Sequence, residues 1–177
     1  MTPKKHKKYK KELIMSKNTI QVRAFRDGAS IPEKSTALAA GYDIRAWTAP
    51  VAGGSRREVI AISPGSSAII KTGLNLSIPE GYEVQIRPRS GLAAKKSIGV
   101  LNSPGTIDAD YDGEGENFEV GIILFNHGDT QFEVNHGDRI AQMVVCKLPE
   151  IELVEVTDEN HQRKESQREG GFGHTGV

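Results

Sequence analysis

The stretch Leu74-Asn75-Leu76-Ser77-Ile78-Pro79-Glu80-Gly81-Tyr82-Glu83-Val84-Gln85-Ile86 decides the fold class. Apolar and polar residues alternate on both sides of Pro79-Glu80-Gly81, the period of a strand with one face on a core. Pro-Glu-Gly between two such runs reads as a turn, because proline presets one backbone angle and glycine accepts a positive φ. Working outward, the pattern repeats. Thr19-Ile20-Gln21-Val22 alternates; Glu58-Val59-Ile60-Ala61-Ile62 ends at Ser63-Pro64-Gly65-Ser66; Ala68-Ile69-Ile70-Lys71-Thr72 ends at Gly73; the Tyr82 run stops at Pro88. Residues 120–125 and 140–145 are nearly continuous apolar runs, expected of strands covered on both faces, and residues 151–156 alternate once more. Short strands at this spacing, punctuated by Gly and Pro, predict an all-β sandwich or barrel. Only residues 91–97 suggest a turn of helix. A strand apolar on both faces in so small a domain also points to packing against another copy.

The chain has 177 residues with 23 basic and 23 acidic side chains, so its net charge of zero gives no electrostatic reason to expect nucleic acid as a partner. One cysteine, Cys146, excludes an intrachain disulfide framework and fits a reducing, cytoplasmic setting. No apolar run has membrane-spanning length, and no membrane partner is expected. Three segments are expected: a basic, solvated leader over residues 1–17, a β domain over 18–160, and a glycine-rich C-terminal arm over 161–177. Phe172, a lone aromatic among four glycines in the last eight residues, is out of place in such an arm unless it closes on something.

Five segments carry potential chemistry. In Arg87-Pro88-Arg89-Ser90-Gly91-Leu92-Ala93 a strand ends in a small-residue turn whose backbone N–H groups, hydroxyl and guanidinium suit an anion, although alone it is an ordinary strand-ending turn. In Asn102-Ser103-Pro104-Gly105-Thr106-Ile107-Asp108-Ala109-Asp110-Tyr111-Asp112-Gly113-Glu114, Val100 and Ile107 flank a Ser-Pro-Gly turn, which predicts a hairpin. Asp108, Asp110 and Asp112 recur at period two and, if extended, share one face. Three close carboxylates suit a general base or a metal, or else simply a solvated acidic loop. Ala40-Gly41-Tyr42-Asp43-Ile44-Arg45-Ala46 places an aspartate at the start of a strand. His136-Gly137-Asp138-Arg139-Ile140-Ala141-Gln142-Met143 leads into a strand whose one polar side chain, Gln142, needs a partner, either backbone or ligand. Gly170-Gly171-Phe172-Gly173-His174-Thr175-Gly176 is the fifth.

Taken in this order the five segments resemble the motifs of the homotrimeric dUTP pyrophosphatases, from about residue 20 to the C-terminus. The resemblance implies a distorted β jelly roll, three active sites at the contacts of a homotrimer, and hydrolysis of dUTP to dUMP and pyrophosphate. Such an activity supplies dUMP for dTMP synthesis and limits uracil incorporation into DNA. It implies Asp108 as the base that activates water. It also implies that Arg89, Ser90 and Gly91 bind phosphate oxygens, and that Gln142 reaches the α-phosphate. Asn102 and the backbone of Gly105, Thr106, Ile107 and Asp108 would read uracil, with Gly121 as a further backbone contact. Tyr111 would lie under the deoxyribose, Phe172 would stack on the base, and Arg168, Gly173, His174 and Thr175 would close over the phosphates from another subunit. Mg²⁺ would ride mainly on the substrate phosphates and water, with no direct protein ligand; Asp43 is at most an outer-shell contact, and Asp43 and Asp110 are otherwise structural.

Three features depart from the family pattern. Arg168 stands four residues before Phe172 where five are usual, residues 115–118 are inserted after Gly113-Glu114, and residues 47–57 form a longer, glycine-richer stretch. Two alternatives share the fold: a dCTP deaminase or bifunctional deaminase-pyrophosphatase, which needs a glutamate beside the base and a different Ser/Arg-rich segment, and a non-catalytic dUTP-binding relative. The motif as it stands, Arg89-Ser90-Gly91-Leu92-Ala93, weighs against the first; intact Asp108, Tyr111 and Phe172 weigh against the second.

Overall fold

The structure, a computed structural model, describes residues 18–52 and 57–157. Eleven strands follow one another: β1 Gln21–Ala24, β2 Gly41–Arg45, β3 Ile60–Ile62, β4 Ser67–Lys71, β5 Leu74–Ser77, β6 Tyr82–Arg87, β7 Ile98–Val100, β8 Gly105–Ile107, β9 Gly121–Asn126, β10 Phe132–Val134 and β11 Arg139–Lys147. The short helix α1, Ser90–Lys96, follows β6, and a 3₁₀ turn, Glu116–Phe118, precedes β9. All pairings are antiparallel, in sheets ordered β2-β11-β6-β8, β4-β9-β7, β1-β5 and β10-β3.

Alternation does what the sequence says it should. In β6, Val84 and Ile86 are buried, and they join Ile44, Ile62, Ile70, Ile98, Ile122, Leu124, Val134 and Ile140 in one core between the sheets. Each such side chain removed from water contributes roughly 1.5–3 kcal/mol. The opposite face of the four-stranded sheet is polar: Asp43 on β2, Gln142 on β11 and Arg87 on β6 stand in one registered row across three strands. Residues in one row share a face, so the ladder itself gathers these three side chains.

Two expectations are corrected and one is refined. Within one chain the segment 120–125 is covered on one face: β9 alternates, with Ile122 and Leu124 in the core and Ile123 and Phe125 half-buried beside exposed Ile69, the face that packing against another copy would cover. Residues 100–107 do not close a hairpin ladder, because β7 pairs with β9 while β8 pairs with β6, and the Ser-Pro-Gly turn carries the chain from one sheet to another. Residues 151–156 form no strand in this chain; Ile151, Leu153 and Val154 are exposed. Alternation reports amphipathicity, whereas a strand also needs a hydrogen-bonding neighbour. Residues 91–97 do carry the expected helix, which ends at Ser97 in the left-handed conformation.

Candidate active site

Two groups of side chains stand out. The first lies on the polar face where β6 ends. Arg89, at the N-cap position of α1, donates from Nε to Asp43 Oδ1 (3.0 Å) and from Nη1 to the Arg139 carbonyl (3.0 Å). Arg139 donates to Asp43 Oδ2 (3.1 Å), and the Ser35 hydroxyl donates to the same oxygen (2.6 Å). Burial pushes the Asp43 carboxyl up, but the Ser35 and Arg139 hydrogen bonds and the charges of Arg89 and Arg139 outweigh it, leaving it below its ordinary value. Asp43 is thus an ionised clamp that fixes two guanidinium groups at the mouth of the Arg89-Ser90-Gly91 turn. Gln142 Nε2 donates to the Pro88 carbonyl (2.9 Å), bracing that turn from β11. One of its two amide hydrogens is thereby used. Ser90 and Gly91 open α1, exposed.

The second group lies where β8 ends. A pocket of about 190 Å³ is lined by Thr106, Ile107, Asp108, Tyr111, Glu119, Val120 and Gly121. Gly105 is buried opposite Ile86, and an added Cβ there would come within 3.2 Å of the Asn102 amide, so glycine lets the side chain of Asn102 fold against the strand. Asp108 starts a turn closed by the Tyr111 N–H donating to its carbonyl (3.1 Å). This turn removes the shared face expected for the three aspartates, because the chain is not extended there. Asp112 instead accepts from the Ser77 hydroxyl (3.0 Å), while Asp108 and Asp110 point to solvent as exposed residues. Gly121 opens β9 opposite Lys71 and lines the same pocket.

The chain therefore brings Arg89 to Asp43, with Gln142 on the adjoining Pro88, and brings Asp108 to Tyr111 and residues 106 and 107, as two separate groups. Arg168, Phe172, Gly173, His174 and Thr175 lie outside the described residues. A larger cavity, about 460 Å³, is lined by Lys95, Lys96 and residues 128–133 and contains none of the motif residues; chemistry rather than volume places the site. Among the described residues no three or more His, Cys, Asp or Glu side chains gather as a metal cage, and no helix is long and apolar enough to cross a membrane. Sequence reasoning missed Arg139 and Ser35. Arg139 stood inside a quoted motif, and the need of Asp43 for counter-charge could have found it; Ser35 carries no local signal.

A turn with two fixed guanidinium groups and, separate from it, a strand-end pocket with a carboxylate and a tyrosine suit a phosphorylated ligand on an all-β protein. The family model described as dUTPase matches residues 27–176. A deoxyuridine 5'-triphosphate nucleotidohydrolase of Chlamydia trachomatis is 46% identical over 149 residues, covering 84% of this chain and 92% of that protein. The Chlamydia muridarum protein of the same name matches to the same extent, 46% over 149 residues. Among solved structures, the dUTPase of Staphylococcus bacteriophage 80alpha with dUPNHPP superimposes with a TM-score of 0.71 at 29% identity, covering 90% of this chain and 99% of that one. A variant of the phage phi11 dUTPase, solved with a structural Mg(II) ion, gives 0.64 at 29% identity over 80% of this chain and 98% of that one. The chain belongs to the dUTPase family, and its all-β fold is the family's jelly roll.

Proposed function

We propose that this chain hydrolyses dUTP to dUMP and pyrophosphate in a site completed by neighbouring copies of a homotrimer. The observation that carries the reading is the pocket at the end of β8, where an exposed carboxylate, a strand backbone edge and a tyrosine ring converge. Asn102 and the backbone of residues 105–108 read the uracil edge. Cytosine swaps acceptor for donor along that edge and leaves buried groups unpaired, at about 1–3 kcal/mol each. The confined pocket excludes the methyl of thymine, and Tyr111 lies under the deoxyribose.

Arg89, Ser90 and Gly91 hold phosphate oxygens, and Gln142 offers its second amide hydrogen to the α-phosphate. Because the two groups of residues are separate within one chain, the phosphate turn of one copy serves the pocket of another. Asp108 takes a proton from water as the water oxygen bonds to the α-phosphorus; the bond to the bridging oxygen breaks and pyrophosphate leaves with its electron pair. Mg²⁺, when bound to the triphosphate, neutralises phosphate charge. The chain's own residues fit that arrangement, since both Asp43 oxygens are already engaged by Arg89, Arg139 and Ser35. The arm that carries Arg168, Phe172, Gly173, His174 and Thr175 closes over base and phosphates. One cysteine, Cys146, and a substrate from the free nucleotide pool support a cytoplasmic setting.

Pyrophosphate release from dUTP, dCTP, dTTP and UTP, with and without Mg²⁺, tests the reading, and ammonia release from dCTP tests the deaminase alternative. Asp108→Asn should keep nucleotide affinity and lose kcat by about a hundredfold or more. Unchanged kcat in that variant would refute the mechanism, and dUTP binding without turnover in the wild type would favour a non-catalytic relative.

A further inference from the structure

We propose that the loop of residues 115–119, which contains the insertion and is anchored by Arg26, positions Tyr111 and so sets the discrimination between deoxyribose and ribose. The inference rests on the reading that Tyr111 lies under the sugar.

Tyr111 is contacted at both ends of its ring. Its one hydroxyl hydrogen is shared between the carbonyls of Asn117 (3.4 Å) and Glu119 (3.3 Å). Its ring meets Phe118 edge-on, with centroids 5.6 Å apart and planes at 60°. Phe118 sits over Gly113, where any Cβ would overlap its ring; only glycine at 113 lets the two aromatics meet. These contacts come from Asn117 and Phe118 of the insertion, from Glu119 directly after it, and from the glycine that makes room for Phe118.

The loop is itself held hard. Asn75, buried on β5, donates to the carbonyls of Gly115 (3.0 Å) and Phe118 (2.9 Å) and accepts from the Gly115 N–H (3.1 Å). Arg26 binds Glu119 through two parallel bonds, 2.9 and 2.8 Å, and reaches Glu116 at 2.9 Å. Glu119 Oε1 also accepts the Gly73 N–H (2.8 Å). The Glu119 side chain is 5% exposed and that of Arg26 13%. The guanidinium lies over the Trp47 ring at 4.5 Å and near the Phe25 ring at 5.0 Å. A planar fork paired with a carboxylate and stacked on an aromatic face is a rigid joint that lysine cannot copy.

Rigidity matters here because a 2′-hydroxyl adds a single oxygen. A tyrosine free to swing aside by about 1 Å would admit it, whereas a ring fixed to within about 0.5 Å excludes it. Glu119 contributes to the same pocket wall as Tyr111, so the anchor and the wall are continuous. Arg26, Glu119 and Phe118 are positioning residues that act through Tyr111.

The test compares kcat/KM for dUTP and UTP in Arg26→Lys, Phe118→Leu and Tyr111→Ala, with thermal unfolding measured alongside. In Arg26→Lys and in Phe118→Leu the dUTP-to-UTP ratio should fall about tenfold while kcat for dUTP stays within about threefold. Tyr111→Ala should lower the ratio at least as far. If Tyr111→Ala lowers it and neither brace variant does, or if the brace variants lose both activities in proportion to their lost stability, the brace is only structural and the inference is overturned. If Tyr111→Ala leaves the ratio unchanged, the placement of the sugar is wrong and the underlying reading fails first. Should Arg26→Lys not fold, Phe118→Leu, which keeps an apolar side chain against Gly113, decides alone.

Discussion

At the scale of single residues, Asp43 orders the candidate site from a neighbouring strand through Arg89 and Arg139. It is held ionised by Ser35, Arg139 and Arg89 against the cost of partial burial, and it returns the favour by aiming two cations at the turn of residues 89–91. Asp43→Asn keeps the shape and removes the charge. We expect kcat/KM for dUTP to fall about tenfold, with KM carrying most of the change, because guanidinium groups left without counter-charge lose their fixed direction. The linkage has a definite sign. A carboxyl whose pKa is lowered by folding stabilises the fold above its unfolded value and loses that contribution as pH falls through the folded value. The variant should therefore melt below the wild type at neutral pH, and the gap should close as pH falls below the ordinary aspartate value of about 4. Melting curves across that range check it.

At the scale of elements, the turn before β11 is tied to two distant loops by His136. The Thr48 N–H donates to its Nδ1 (3.3 Å), and the Gly28 carbonyl accepts from the ring's other side. Burial and then the charge of Arg57 hold its pKa below the ordinary histidine value, opposed by the Gly28 hydrogen bond and Asp27. The fold therefore selects the neutral ring, and stability should decline as pH drops through the unfolded value of about 6.5. His136→Gln, which cannot titrate, should lose that slope between about pH 7.5 and pH 5 in melting experiments.

Element by element, most strands could be read from residue alternation, as in β5 and β6. What escaped was pairing. Nothing in Val100 or Ile107 says that their strands join different sheets, and nothing in residues 151–156 says that no neighbour awaits them in this chain. Of the site, Arg89, Asp108, Tyr111 and Gln142 were legible because they sit in short motifs. Ser35 and Arg26 were not, because their roles depend on partners 8 and 93 positions away.

At the scale of the whole molecule, the turn at residues 89–91 and the pocket at the end of β8 are two separate groups in one chain, and the proposed function assigns them to phosphate and base and adds the C-terminal arm of a third copy. A chain ending at Glu165 should keep the trimer's mass in solution and lose dUTP turnover by at least about tenfold, since closure and not assembly is removed. Sedimentation and pyrophosphate release measure the two separately; full activity without the arm would show that it is no lid.

Gly91 follows from the same division. A Cβ at this position would meet no atom within 4 Å, and alanine in place of glycine inside a helix is favoured by about 1 kcal/mol. Folding of the isolated chain thus gives no reason for glycine in the second position of α1. On the proposed reading, in which the open space beside Gly91 receives a phosphate, a laboratory selection for heat resistance alone should drift away from glycine, while a selection for growth that depends on turnover should hold it.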